Sequence, residues 1–140
     1  MLYKIQNFYN FQKNMKKISR KGLVRKLDTA FSKYIRTRLS KNEQVQCVTC
    51  GVRKHWKEVD AGHFVSRRHY ATRWNAQNVH VQCKSCNGFH AGQNYLMGKY
   101  IDRIYGIGTA DELINMSRQI KKFSNKDLEE LICHYKNLID

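Results

Sequence analysis

The chain has 140 residues, with 26 Lys and Arg against 11 Asp and Glu, a formal charge of +15 and a hydrophobic content of 41%. That length holds one domain, or one domain with a tail, around a small core. No run approaches the roughly 18 apolar residues of a membrane span, and the polar, aromatic start (Gln6, Asn7, Tyr9) lacks the apolar stretch of a signal peptide. The expected setting is therefore a reducing cytoplasm with no membrane partner, where five cysteines do not make a disulfide framework. A charge this high points to a polyanion, nucleic acid before others.

Residues 1–22 carry Lys13, Lys16, Lys17, Arg20 and Lys21 on weak apolar spacing, and read as a basic N-terminal tail able to touch phosphate backbones. Residues 23–140 read as a single domain. Within it, 23–39 predicts an amphipathic helix: Leu23, Leu27, Phe31, Tyr34 and Leu39 recur at helical spacing, and Arg25, Lys26, Lys33, Arg36 and Arg38 cover the rest. The core segment, 45–105, contains both CxxC pairs. Residues 56–67 predict a strand with His63 near its end. Residues 78–82 predict a second strand, with Val79 and Val81 on one face and His80 on the solvated one. A helix is expected from near Asn87, with Asn87, His90 and Asn94 within about 60° of one another and Phe89, Leu96, Tyr100 and Ile104 packing opposite. Residues 109–139 predict two helices. Thr109 to Glu112 forms a capping-box pattern, Ser124 precedes a first turn containing Asp127, and Leu128, Leu131, Ile132, Tyr135, Leu138 and Ile139 form a stripe.

Cys47-Val-Thr-Cys50-Gly51 and Cys83-Lys-Ser-Cys86 are two knuckles separated by 32 residues. Each knuckle curls so that two thiolates face one ion, and two knuckles complete a tetrahedron. Four thiolates with no open position are the chemistry of structural Zn²⁺. A redox CxxC needs one pair in a βαβ setting, which the pattern lacks, and an iron–sulfur cluster is the other alternative. The spacer exceeds the roughly 15–20 residues of a simple zinc ribbon. It also carries Asp60, His63, Arg67, Arg68, Arg73 and Asn78, so the metal is expected to staple a domain whose working parts lie between and just after the knuckles. Arginine forks match phosphate oxygens, which makes Arg67, Arg68 and Arg73, with Arg36 and Arg38 of the first helix, the candidate DNA contacts. Tyr70 and Trp74 can stack on an unpaired base or cover the core.

The order of strand with His63, Asn78 before a second strand, and Asn87 directly after the second knuckle resembles the HNH endonucleases of ββα-metal fold. The segments Ser32–Arg38, Cys47–Gly51, Asp60-Ala-Gly-His63-Phe, Arg73-Trp-Asn75, Asn78–Cys83 and Cys86-Asn87, with Tyr95 and Tyr105-Gly106, are similar to the phage NinG/Rap recombination family. The resemblance implies a small zinc-stapled α+β nuclease core with flanking helices at 23–39 and 109–139. It implies a metal-dependent endonuclease acting on branched DNA such as Holliday junctions and D-loops. His63 would be its general base, Asn78 would hold the loop near it, and Asn87 would ligate a catalytic Mg²⁺ or Mn²⁺ with His90 and Asp60 as further candidates. The commonest HNH form has an acid immediately before the histidine, where this chain has Gly62; Asp60 lies about 7 Å further back along a strand. Two symmetric cuts at a junction make a homodimer the expected assembly. A non-catalytic zinc module that binds DNA or RNA is the alternative, and it leaves His63, Asn87 and His90 without a task.

Overall fold

The computed structural model describes residues 2–15 and 18–139; Lys16 and Lys17 of the basic segment lie outside them. The helices are α1 (Leu2–Met15), α2 (Arg20–Thr37), α3 (Tyr70–Arg73), α4 (Asn94–Tyr105), α5 (Thr109–Ser117) and α6 (Asn125–Ile139). The strands are β1 (Gln44–Gln46), β2 (Arg53–His55), β3 (Val59–His63) and β4 (Val79–Cys83). Helices with two small antiparallel sheets make the class α+β, as expected. No described helix is long and apolar enough to cross a membrane. The chain divides into two compact units, Met1–Tyr34 with Phe123–Asp140, and Ile35–Lys122.

The first unit is helical. Where the sequence reads as an irregular basic tail, the chain forms α1. Leu2, Ile5, Phe8, Phe11 and Met15 do recur at spacings of three and four, a signal masked by the surrounding polar residues. Only the far end of that face is covered: Met15 is buried, the Lys136 ammonium lies 5.6 Å from the Phe11 ring centroid, and Leu2 and Ile5 are exposed. Helix α2 starts three residues earlier than its apolar pattern, because the Ser19 hydroxyl accepts from the Gly22 N–H (3.1 Å). It also ends before Leu39, which is exposed. Leu23, Leu27 and Phe31 are buried, as are Leu128, Ile132 and Tyr135 of α6, and Phe31 meets Tyr135 edge-on at 4.8 Å. Burying each such side chain stabilises by about 1.5–3 kcal/mol. Ser124 and Asp127 cap α6 reciprocally, each backbone N–H donating to the other's side chain (2.8 and 3.0 Å).

The second unit is built on two hairpins. β1 pairs with β2 in the register Val45↔Lys54, and β3 pairs with β4 from Val59↔Cys83 to His63↔Val79. A Val48 N–H to Val81 carbonyl bond (3.0 Å) ties the end of the first hairpin to β4, and Val45, Val59 and Val81 pack with Trp56. Helices α4 and α5 bring Met97, Ile101, Ala110 and Leu113 into a second cluster against Val48, Phe64, Val65 and Tyr100.

Two expected helix starts differ in the structure. No helix starts at Asn87: residues Ser85–Phe89 form a π-helical turn, and α4 begins only at Asn94 after Ala91, Gly92 and Gln93 adopt positive φ. The buried face of α4 is thereby rotated by one residue, about 100°, so Met97 and Ile101 are buried while Phe89, Leu96 and Ile104 are exposed. Nor does Thr109 cap α5. Gly108 (φ +97°) is the N-cap, the Thr109 hydroxyl donates to the Gly106 carbonyl (2.7 Å), and Asp102 of α4 accepts from the Ala110 N–H (2.9 Å).

Candidate functional site

The four knuckle cysteines converge. Their sulfurs lie within 4.8 Å of one another, and Cys47, Cys83 and Cys86 are buried while Cys50 is exposed. The Cys50 and Cys83 sulfurs are 3.7 Å apart. Four thiolates around Zn²⁺ at its usual bond length have tetrahedral edges of about 3.8 Å, so the donor set fits such an ion. The Cys86 N–H donates to Cys83 Sγ (3.4 Å), and the Thr49 hydroxyl lies 3.4 Å from Cys47 Sγ. Burial raises the Cys47 thiol, but hydrogen bonds from Thr49 and nearby backbone outweigh it and bring the thiol down to about 6. Burial pushes Cys86 up to about 12. A divalent ion is what lets such a set ionise together.

The chemistry-bearing side chains hang from β3, β4 and the π turn. Asp60 Oδ2 accepts from Asn87 Nδ2 (3.1 Å), and Asp60 Oδ1 accepts from Lys84 Nζ (2.8 Å). Arg36 donates to the Trp56 carbonyl (3.4 Å) and lies 5.2 Å from the Trp56 ring centroid; burial lowers its pKa, and the Asp60 charge partly opposes that. His63 ends β3, where alternation points it to the face opposite Asp60. Its Nε2 is 3.0 Å from the Arg73 carbonyl oxygen. A carbonyl only accepts, so Nε2 carries the proton and Nδ1 is the nitrogen able to take one. His90 caps the π turn and is exposed, and Asn94 opens α4. The break at residues 90–93 removes the shared helix face on which His90 and Asn94 were expected to join Asn87.

Gly62, where an acid stands in the commonest HNH pattern, could carry a side chain only if Gln82 moved. A Cβ there would collide with the Gln82 side chain, which is fully buried and crosses the Gly62 backbone. Gln82 Nε2 donates to the Gly92 carbonyl (2.7 Å) and to the Thr49 hydroxyl (3.2 Å), joining the first knuckle to the loop after the second. Gln82 and Lys84 carry structural work the sequence reading missed. No sequence signal marks Gln82: its role appears only in the structure, where all five residues of β4 are buried.

Asn78 is fully buried: its Oδ1 accepts from the Val65 N–H (2.8 Å), and its Nδ2 donates to the carbonyls of Val65 (3.0 Å) and Thr72 (3.2 Å). His80, expected on a solvated face, is only 2% exposed. Its Nε2 donates to the Gln77 carbonyl (2.8 Å) and its Nδ1 accepts from Arg38 (3.0 Å). Burial pulls its pKa to about 4, the Gln77 bond opposing and the Arg38 charge assisting. Arg38 also donates to the Ala76 (3.0 Å) and Val79 (2.8 Å) carbonyls, so its guanidinium braces the start of β4 instead of lying on an open DNA-facing helix side. Arg73 donates to the Arg67 carbonyl (3.1 Å) and its guanidinium sits 5.3 Å from both the Tyr70 and Trp74 rings, while Arg67 and Arg68 are exposed. Trp74 is buried, which favours its covering role over base stacking.

The family model described as Bacteriophage Lambda NinG protein matches residues 4–140. No curated protein and no solved structure gives a match. The match covers nearly the whole chain, from α1 through both knuckles to α6, and the chain therefore belongs to the bacteriophage lambda NinG protein family.

Proposed function

We propose that this chain is an HNH-like, zinc-stapled endonuclease that hydrolyses phosphodiesters in branched DNA. The observation that carries the reading is the 3.1 Å contact between Asp60 and Asn87, residues 27 apart that meet only because the second knuckle folds its π turn back onto β3. Two oxygen-bearing side chains next to a stapled hairpin suit a hard cation such as Mg²⁺ or Mn²⁺. Asp60 and Asn87 would hold such a cation, which would supply charge neutralisation for phosphodiester hydrolysis. In this reading His63, which ends β3 on the face opposite Asp60, takes the proton from the attacking water at Nδ1, so the substrate phosphate must reach it round the strand end from the Asp60–Asn87 side; the Arg73 carbonyl fixes the ring and its tautomer. Asn78 holds the segment after His63 by its Val65 bonds. Exposed Arg67 and Arg68 meet the phosphates in this reading, with Arg73 positioning the loop from within and Arg36 held against Trp56. Symmetric cutting of a junction calls for a twofold dimer.

The 2.8 Å ion pair between Lys84 and Asp60 favours a second reading, a zinc-stapled module that binds DNA or RNA without cutting, in which Asp60 is already satisfied. The two readings separate in one assay. Wild type and His63→Ala are compared on a four-way junction and on a linear duplex of matched sequence, with Mg²⁺ or Mn²⁺. The nuclease reading expects metal-dependent cutting of the junction that falls by about 100-fold or more in the variant. Tight binding with no cutting by wild type under either metal would leave the binding module standing.

A further inference from the structure

The strongest unassigned feature is a cleft of about 380 Å³ within the second unit. It opens between the β1–β2 hairpin, the end of α2 and the side of α4, over His80 and Val81 of β4. Its described lining includes Arg38, Lys41, Arg53 and Arg103, and no carboxylate. Lys41, Arg53 and Arg103 are exposed at the rim, whereas Arg38 is held lower by its bonds to β4 and His80. The inner wall is apolar and aromatic: Val45 and Val81 are buried, and half-buried Tyr100 meets His80 edge-on at 5.1 Å. The Arg103 guanidinium lies 5.5 Å from the Tyr100 ring centroid, a cation–π contact that ties the rim to the aromatic wall.

A ring of cations around an apolar, aromatic pocket matches a ligand that is anionic at one end and flat and weakly polar at the other. The volume lies at the small end of ligand sites, about 300–1,000 Å³, enough for one nucleotide and too small for a helical segment. A duplex keeps its bases stacked inward, so only an unpaired nucleotide can present its base to such a wall. We propose that this cleft receives one unpaired nucleotide of a DNA strand, its phosphate on Lys41, Arg53 and Arg103 and its base against Tyr100 and the Val45–Val81 wall. The inference deepens the branched-DNA reading, since branch points are where duplexes expose unpaired nucleotides, but it concerns binding and not cutting.

The test measures binding without added Mg²⁺ or Mn²⁺, so it stands apart from the cleavage assay. Fluorescence anisotropy on a single-stranded oligonucleotide compares Lys41→Glu/Arg53→Glu with Arg118→Glu/Lys122→Glu, which makes the same charge change at exposed positions outside the cleft. Retained zinc and an unchanged melt confirm that both fold. The cleft variant should lose at least about tenfold more affinity than the control, with a shallower salt dependence. A strand carrying 5-iodo-deoxyuridine should photo-crosslink to the peptide that contains Tyr100. In competition, the oligonucleotide should outperform an equal nucleotide concentration of free dTMP by about tenfold. Equal losses in the two double variants, a crosslink only outside the cleft, or equal competition by free dTMP would each overturn the proposal.

Discussion

The two knuckles share a spacing and a sulfur cluster but continue differently. After Cys50 the chain turns through Gly51 at φ +81°, the Gly51 N–H returns to the Cys47 carbonyl (2.9 Å), and the strand runs straight back as β2. After Cys86 it does not return. It coils into a π turn, breaks through three positive-φ residues, and only then starts α4. The first knuckle closes a hairpin. The second is the end of β4 and the base from which Asn87 reaches Asp60. Identical ligand motifs thus specify where the sulfurs meet and say nothing about what the following residues present.

The largest expected effect breaks both knuckles at once. Cys47→Ser and Cys83→Ser should each abolish stoichiometric zinc and lower stability by about 4 kcal/mol or more, since the metal's binding energy is folding energy. On a unit of this size that shifts the melting temperature by about 20 °C. If only one of the two substitutions mattered, the shared tetrahedron would be wrong.

Acid tests the strand on which both knuckles rest. His80 is neutral when buried, with a pKa of about 4 against 6.5 when exposed. Between those values the unfolded chain binds the extra proton, so stability falls as pH drops from 6.5 and the loss is complete near 4. It amounts to about 3 kcal/mol. NMR titration of the His80 ring should give a midpoint well below 6.5, and a midpoint at the exposed value would break the account of its burial.

Gly62→Ala sharpens the comparison, because Gln82 bridges the knuckles beneath it. Displacing that buried amide should cost about 1–3 kcal/mol in urea unfolding, and adding Gln82→Ala should recover part of the loss in a double-mutant cycle. Simple additivity would show that Gly62 does not press on Gln82. The smallest effect belongs to the first knuckle alone: Gly51→Ala should cost about 1 kcal/mol through its positive φ and leave the Asp60–Asn87 side untouched, as read from backbone amide shifts at Asp60 and Asn87.

Much of this was legible in the sequence where the information is local. Paired cysteines two residues apart announce a metal knuckle whatever surrounds them, a strand pair is announced at 56–67 and 78–82 although the first strand is only Val59–His63 after a 3-10 turn at Trp56–Glu58, and Ser124 with Asp127 announces the start of α6. The partners of Arg38, His80 and Gln82 were not legible. A basic residue on an amphipathic helix and a histidine between two valines look exposed until β4 is covered on both faces.

The chain's charge, its knuckles, its α+β class and its family follow from residue types and spacing, because short-range sterics and ligand chemistry act over a few residues. Only the tertiary structure decided that the helix expected at Asn87 is a π turn, that any side chain at Gly62 must displace Gln82, and that Arg38 braces β4. Each of those depends on which distant side chain takes up the space and the hydrogen bonds, and burial by residues tens of positions away makes that choice.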